Sequence, residues 1–362
     1  MKIKYLILAL IIGCLTPAFA DIGLEFQISQ NFTDNLLLDS AELKDKYTST
    51  TAVFHYYPLS QVELNLNGEY TYYSKLVDLG NVMGGAGVTV IPTSKDSRIT
   101  VFLSANYAAR KYREYFEVYN TVDIDIMSSL SYRLFRATQL RAGVSSNRTE
   151  FVNSEEGDKE SISVFTGLNT TLFSSNSLDI ETGWSFADYT FIDYESIFGY
   201  PQRIEEVEGN LTSYYLSPRF SRPLGRRAGF SLTYTYSNFL GNEDPVVYSY
   251  SSGLLSPWAS VFEGNSFTAS LKWFPLRKLI VEAGYGFWHK RFLQTLDLPD
   301  RVSKRKDDLS RYLLSLSWPM PSHGSWYVEP SIQIKITNNT SSQKLYDYSD
   351  VAVNVGFLIR MQ

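Results

Sequence analysis

The feature that most limits what this chain can fold into is an alternation of apolar and polar residues, sustained over runs of about ten positions and repeated to the end. Val62, Leu64, Leu66, Gly68, Tyr70 and Tyr72 alternate with Glu63, Asn65, Asn67, Glu69, Thr71 and Tyr73. Ile99, Val101, Leu103, Ala105 and Tyr107 alternate with Arg98, Thr100, Phe102, Ser104 and Asn106. The rhythm returns through Val122–Arg133, Leu178–Phe186 and Val351–Ile359. Successive side chains of a strand point to opposite faces, so each run is a strand with one apolar and one polar face. Strands of soluble sandwiches run about five to six residues, whereas a tilted strand needs about 9–11 to cross a bilayer. The pattern therefore predicts an all-β, transmembrane, antiparallel up-and-down β-barrel.

Composition agrees. Aromatics make up 15% of the chain, with 26 Tyr and 22 Phe, and the mean hydropathy is only −0.16. In a barrel the lipid and lumen faces cancel in any window average. The net charge of −5 shows no basic bias, so nucleic acid is not an expected partner. The runs predict about 16 strands, with 14–18 compatible, joined alternately by short periplasmic turns and long extracellular loops. Turns are expected at Pro58–Ser60, Pro92–Ser97, Leu134–Thr138, Ser174–Asn176, Ser221–Ala228, Pro275–Arg277 and Pro319–Gly324. Loops are expected near 31–46, 74–83, 111–117, 149–158, 190–205, 240–264, 292–307 and 337–347. Tyr70, Tyr107, Phe186, Tyr234 and Phe287 near the loop ends, and Tyr56, Tyr132, Trp273, Trp318 and Trp326 near the turn ends, fall where interfacial aromatic girdles belong.

Met1-Lys2-Ile3-Lys4, an apolar run from Tyr5 to Ile12 and the small-x-small site Ala18-Phe19-Ala20 make a secretory signal peptide. The apolar run is too short for a spanning helix, which needs about 20 residues. Residues 1–20 are thus expected to be removed, leaving residues 21–362 as a single barrel domain in the cell outer membrane. Ile11-Ile12-Gly13-Cys14 offers a competing lipobox reading in which Cys14 is lipidated. If it is not, the only cysteine leaves with the signal, and the mature chain has neither disulfide nor thiolate chemistry.

The opening Phe26-Gln27-Ile28-Ser29-Gln30-Asn31-Phe32-Thr33-Asp34-Asn35-Leu36, followed by a long loop and turns such as Tyr57-Pro58-Leu59, resembles a loose family of bacterial outer-membrane β-barrel porins. Some of that family are associated with exopolysaccharide systems. Asp34-Asn35 is its one motif-like part. Such barrels often end in an aromatic residue; here the last one, Phe357, lies five residues before Gln362.

Charges are costly on the lipid face, about 2–4 kcal/mol for Arg or Lys at mid-membrane, so they should face water. Parity places Glu63, Asp179, Glu181, Glu282 and Glu329 inside, beside Arg98, Arg133, Arg141 and Lys272. These are either a charge filter in an open channel or salt-bridged packing of a closed lumen. The longest loop is unusually apolar, and Val246, Tyr248, Tyr250, Leu254 and Trp258 are candidates for an inward-folding constriction. Lys111, Arg113, Lys290, Arg291, Lys304, Arg305 and Lys306 at loop ends could meet lipopolysaccharide phosphates or simply be solvated. Glu155-Glu156-Gly157-Asp158 lacks the spacing of a calcium loop.

His55, His289 and His323 do not converge, and no serine sits in a nucleophile motif, so an enzyme is not expected. No cofactor is implied. Expected partners are outer-membrane lipids, lipopolysaccharide and the barrel assembly machinery, with a homo-oligomer or a periplasmic export partner both compatible. Three functions stay open: a passive or gated channel for small hydrophilic solutes, a barrel serving an exopolysaccharide or secretion export system, and a structural surface barrel with a blocked lumen.

Overall fold

The computed structural model describes residues 21–38, 43–93, 97–154, 158–173, 175–197, 200–240, 247–248, 262–292, 294–295, 305–321 and 326–361. The expected signal segment with Cys14, and most of the apolar loop, lie outside them. Sixteen antiparallel strands form a closed barrel. They are β1 (Asp21–Thr33), β2 (Asp45–Leu59), β3 (Val62–Tyr73), β4 (Asn81–Val90), β5 (Ile99–Tyr112), β6 (Thr121–Phe135), β7 (Thr138–Phe151) and β8 (Lys159–Leu172). The second half comprises β9 (Asn176–Ile197), β10 (Tyr200–Leu224), β11 (Ala228–Leu240), β12 (Phe262–Leu276), β13 (Leu279–Phe292), β14 (Lys306–Ser317), β15 (Trp326–Ser341) and β16 (Tyr348–Met361). Each strand pairs with its neighbours in sequence, and β1 closes on β16 from Leu24↔Met361 to Thr33↔Ala352. Closure pairs each strand on both sides and leaves the sheet no exposed edge, the condition for crossing a bilayer with strands.

The burial pattern is that of a soluble protein turned inside out. Phe26, Ile28, Leu66, Ile126, Trp184, Leu271 and Ile334 are exposed on the outer face, whereas Ser29, Thr71, Asn81, Ser129, Ser161 and Thr337 are buried on the inner one. Directly paired residues share a face, so register carries this alternation round the cylinder. The inner row Asn67–Gly85–Ala108–Asp123–Thr149–Lys159, read from β3 to β8, is one example. The few buried apolar side chains lie at the loop end, where Leu36, Tyr73 and Leu79 form a small core.

One expected loop is corrected. Residues 190–197 and 200–208 are strand, pairing with each other as a hairpin. They stand beyond the last rung that β9 shares with β8, Lys159↔Tyr189. At about 3.4 Å per residue, the eight positions 190–197 project roughly 27 Å past that rung. Sequence alternation reports a lipid face opposite a wet one, and Gln202-Arg203-Ile204-Glu205-Glu206 carries no such alternation, so it reads as loop. At the start of β12, Gly264 has φ +147°, and a Cβ there would run into the His289 carbonyl, so glycine is required where the longest loop re-enters the wall.

Candidate functional site

The inner wall is the surface on which function must be sought, because the outer one is committed to lipid. All nine charges singled out in the sequence share the inner parity. Glu63 lies on β3, with Arg133 and Arg141 on β6 and β7, Asp179 and Glu181 on β9, Lys272 and Glu282 on β12 and β13, and Glu329 on β15. Arg98 immediately precedes β5, where its carbonyl accepts from the Arg133 amide at 2.8 Å.

The fold brings some of these together. Arg141 pairs with Glu181, whose other oxygen accepts from the Tyr215 hydroxyl at 2.8 Å. Asn169 donates to Asp179 at 3.0 Å, and Tyr327 donates to Glu329 at 2.7 Å. His55 Nδ1 lies 2.7 Å from Glu63 Oε1. Lys272 and Glu282 are register neighbours, and the Lys272 ammonium lies 5.9 Å from the Phe274 ring. Neither Arg98 nor Arg133 makes an ion pair among the described residues.

Large inner side chains lie flat against this wall. A Cβ at Gly143 would stand 2.5 Å from Phe165 Cζ, and one at Gly183 would stand 2.8 Å from the Tyr215 ring. The glycines make hollows in which rings rest along the strands instead of crossing the lumen. Trp288 rests on Gly286 in the same manner. Lying this way, Phe165, Tyr215 and Trp288 cover the wall near these glycines, and cylinders of about 16–18 strands are wide enough to hold water.

The loop end is different, and here the sequence reading named Arg305 and Lys290 only as rim basics and did not single out their partners. Three loops fold inward. Leu36 after β1, Leu79 in the short 3₁₀ helix Val77–Leu79, and Phe116 in Glu114–Tyr119 meet the inner rings of Tyr47, Tyr73 and Tyr112. Across the mouth, Arg305 is stacked between Phe292 (4.1 Å) and Tyr346 (3.4 Å) and paired with Asp307. Ser341 Oγ donates to Asp307 at 2.6 Å, and Asn339 Nδ2 donates to it at 3.1 Å. Inner charges near this end include Glu69, Arg110, Asp123, Asp125, Lys159, Lys290, Arg311, Lys335 and Asp350. The parity argument that found Glu63 would have found them had it been carried to the loop ends.

Two expectations about rim basics change. Lys290 is on the inner face and Arg305 is buried, so neither is presented to a lipid headgroup; Lys111, Arg291 and Lys306 keep the outer parity. Of the proposed constriction residues, only the Tyr248 backbone is described: Val247–Tyr248 pairs in parallel with Gln294–Thr295, tying two loops together. Val246, Tyr250, Leu254 and Trp258 lie outside the described residues, as do His323, Lys304 and Glu155–Gly157. Asp158 accepts from the Phe151 amide at 2.6 Å. His55 faces inward near the turns and His289 outward near the loops, beside Asp308, so these two share no site. Asp34-Asn35 is a clasp: Asp34 accepts from the Val351 amide at 2.6 Å, and Asn35 is fully buried against the start of β16.

The closed cylinder, its apolar outer belt and its polar inner wall define an outer-membrane β-barrel. Among solved structures, the chain is similar to the outer membrane protein opdK from Pseudomonas aeruginosa, with a TM-score of 0.50 and 10% identity over 94% of this chain and 99% of that one. It is similar also to Pseudomonas aeruginosa OccK8 (OprE), with a TM-score of 0.50 and 9% identity over 95% and 98%. At that identity the likeness is one of fold. No protein-family model matches the chain, and no curated protein matches it.

Proposed function

We propose that the mature chain, residues 21–362 after loss of a signal peptide spanning 1–20, is a single-domain, non-enzymatic channel for small hydrophilic solutes. In this reading Glu63, Arg98, Arg133, Arg141, Asp179, Glu181, Lys272, Glu282 and Glu329 line the pore and set its ion preference. The observation that carries it is the flattened inner wall, where Phe165, Tyr215 and Trp288 lie along the strands over glycines. A lumen built to be filled would send such rings across the axis. The inward loops then form the narrow part, where Val247–Tyr248 also pairs with Gln294–Thr295. Loop packing at the mouth also favours a second reading, a barrel that is shut until a loop moves.

The test is single-channel conductance of the refolded mature protein under a salt gradient, with folding checked by heat-modifiable migration. Steady openings with a non-zero reversal potential are expected. Silence from folded protein sinks the open-channel reading, and brief openings from a silent baseline support the gated one.

A further inference from the structure

The inner wall beneath the first loops holds a cavity of about 320 Å³, lined by Tyr47, Tyr73, Tyr112, Glu69, Arg110 and Asn81 among others. We infer that this cavity is a binding site for a neutral sugar, a waypoint on the inner wall with a pyranose against the tyrosines and its hydroxyls between Glu69 and Arg110. The inference rests on the channel reading only for how the sugar arrives.

The site is built on strands β2 to β5. Glu69 pairs in register with Met83, and Met83 with Arg110, so the carboxylate and the guanidinium rise from strands separated by one other. With strands about 4.8 Å apart, their Cα atoms stand roughly 10 Å from each other. They form no ion pair among the described residues. Arg110 Nη2 instead reaches Met83 Sδ at 3.6 Å, and the buried Thr71 hydroxyl donates to Glu69 Oε1 at 3.1 Å. Each charged group is thus held at its own side of the cavity. The Tyr47 and Tyr73 rings lie 4.9 Å apart at one end, and Leu79 closes over them.

The chemistry selects the ligand. A carboxylate only accepts, a guanidinium only donates and an amide does both, so adjacent hydroxyls satisfy all three at once. Tyrosine offers an apolar face to the C–H side of a pyranose and a polar tip to its hydroxyls. A simple anion is opposed by Glu69 and a simple cation by Arg110, so the balanced pair discriminates against both. A zwitterionic α-amino acid satisfies Glu69 and Arg110 with its two charges but offers the tyrosine rings no C–H face, so glycine is the competing ligand in the test.

The test adds D-glucose, maltose, glycine and acetate separately to the folded wild-type protein in a planar bilayer. Saturable interruption of the current by a sugar, weakened tenfold or more in Glu69→Gln and in Tyr112→Phe, is expected. Both variants are checked for heat-modifiable migration, and either one, if folded, suffices. Conductance indifferent to both sugars, or interrupted by glycine or acetate instead, overturns the inference while leaving the channel reading intact. If the protein does not conduct, titration of D-glucose into the detergent-solubilised barrel, followed by tyrosine fluorescence, decides: a saturable change lost in Glu69→Gln upholds the site, and no change overturns it.

Discussion

On the β1–β6 side of the mouth, loops are held by apolar burial: Leu79, 1% exposed, and Leu36 sit on Tyr73, with Tyr47, Tyr112 and Phe116 around them. On the β13–β16 side, loops are held by a buried charge, with Arg305 between two rings and against Asp307, itself 2% exposed. The two sides differ in how they fail. Dispersion and water exclusion are spread over many atoms, so an apolar cluster loosens by degrees. A buried ion pair has no such gradation, because removing one partner strands the other in a poor solvent.

The largest effect is therefore expected from Asp307→Ala. It leaves Arg305 uncompensated and takes the acceptor from Ser341 and Asn339, a loss of about 3–5 kcal/mol in urea unfolding. A loss below about 1 kcal/mol would mean that water reaches the pair, as at exposed salt bridges, and the contrast between the two sides would collapse. Leu79→Ala comes next, at about 2–3 kcal/mol, near the lower end for buried leucines because a loop can settle into the space. In the channel reading it also raises conductance by letting the first loops open; unchanged conductance would put the narrowing on the opposite side. Arg305→Lys is expected to be mildest, about 1–2 kcal/mol. The charge and Asp307 remain, but the flat guanidinium that fits between Phe292 and Tyr346 is lost. If it costs as much as Asp307→Ala, stacking and not charge holds that side.

Much of this barrel was legible in the sequence. Glu63, Arg133, Arg141, Asp179, Glu181 and Lys272 could be assigned to the inner face from parity alone, because each sits in a run whose other members are plainly lipid-facing. β4 shows the limit: Gly84, Gly85, Ala86 and Gly87 carry almost no apolar signal, and only pairing with β3 and β5 fixes their faces. The projecting hairpin was hidden for a related reason, since Gln202-Arg203-Ile204-Glu205-Glu206 carries no alternation. Arg305 was misread because a basic residue in a polar loop is ordinarily solvated. Nothing local announces that Phe292 and Tyr346, so far apart along the chain, will enclose it.

The sequence by itself determined the class of structure, the direction most strand residues face and which end carries the loops. Those follow from a period of two and from the cost of placing charge in lipid, both local properties. Only the tertiary structure decided which charges meet, such as Arg141 with Glu181 across β8, and which loops turn inward. It also decided that Glu69 and Arg110 face one cavity without touching. Those outcomes depend on register and on contacts between distant segments. A register shift of two residues preserves every face and changes every neighbour, so the alternating pattern cannot encode them.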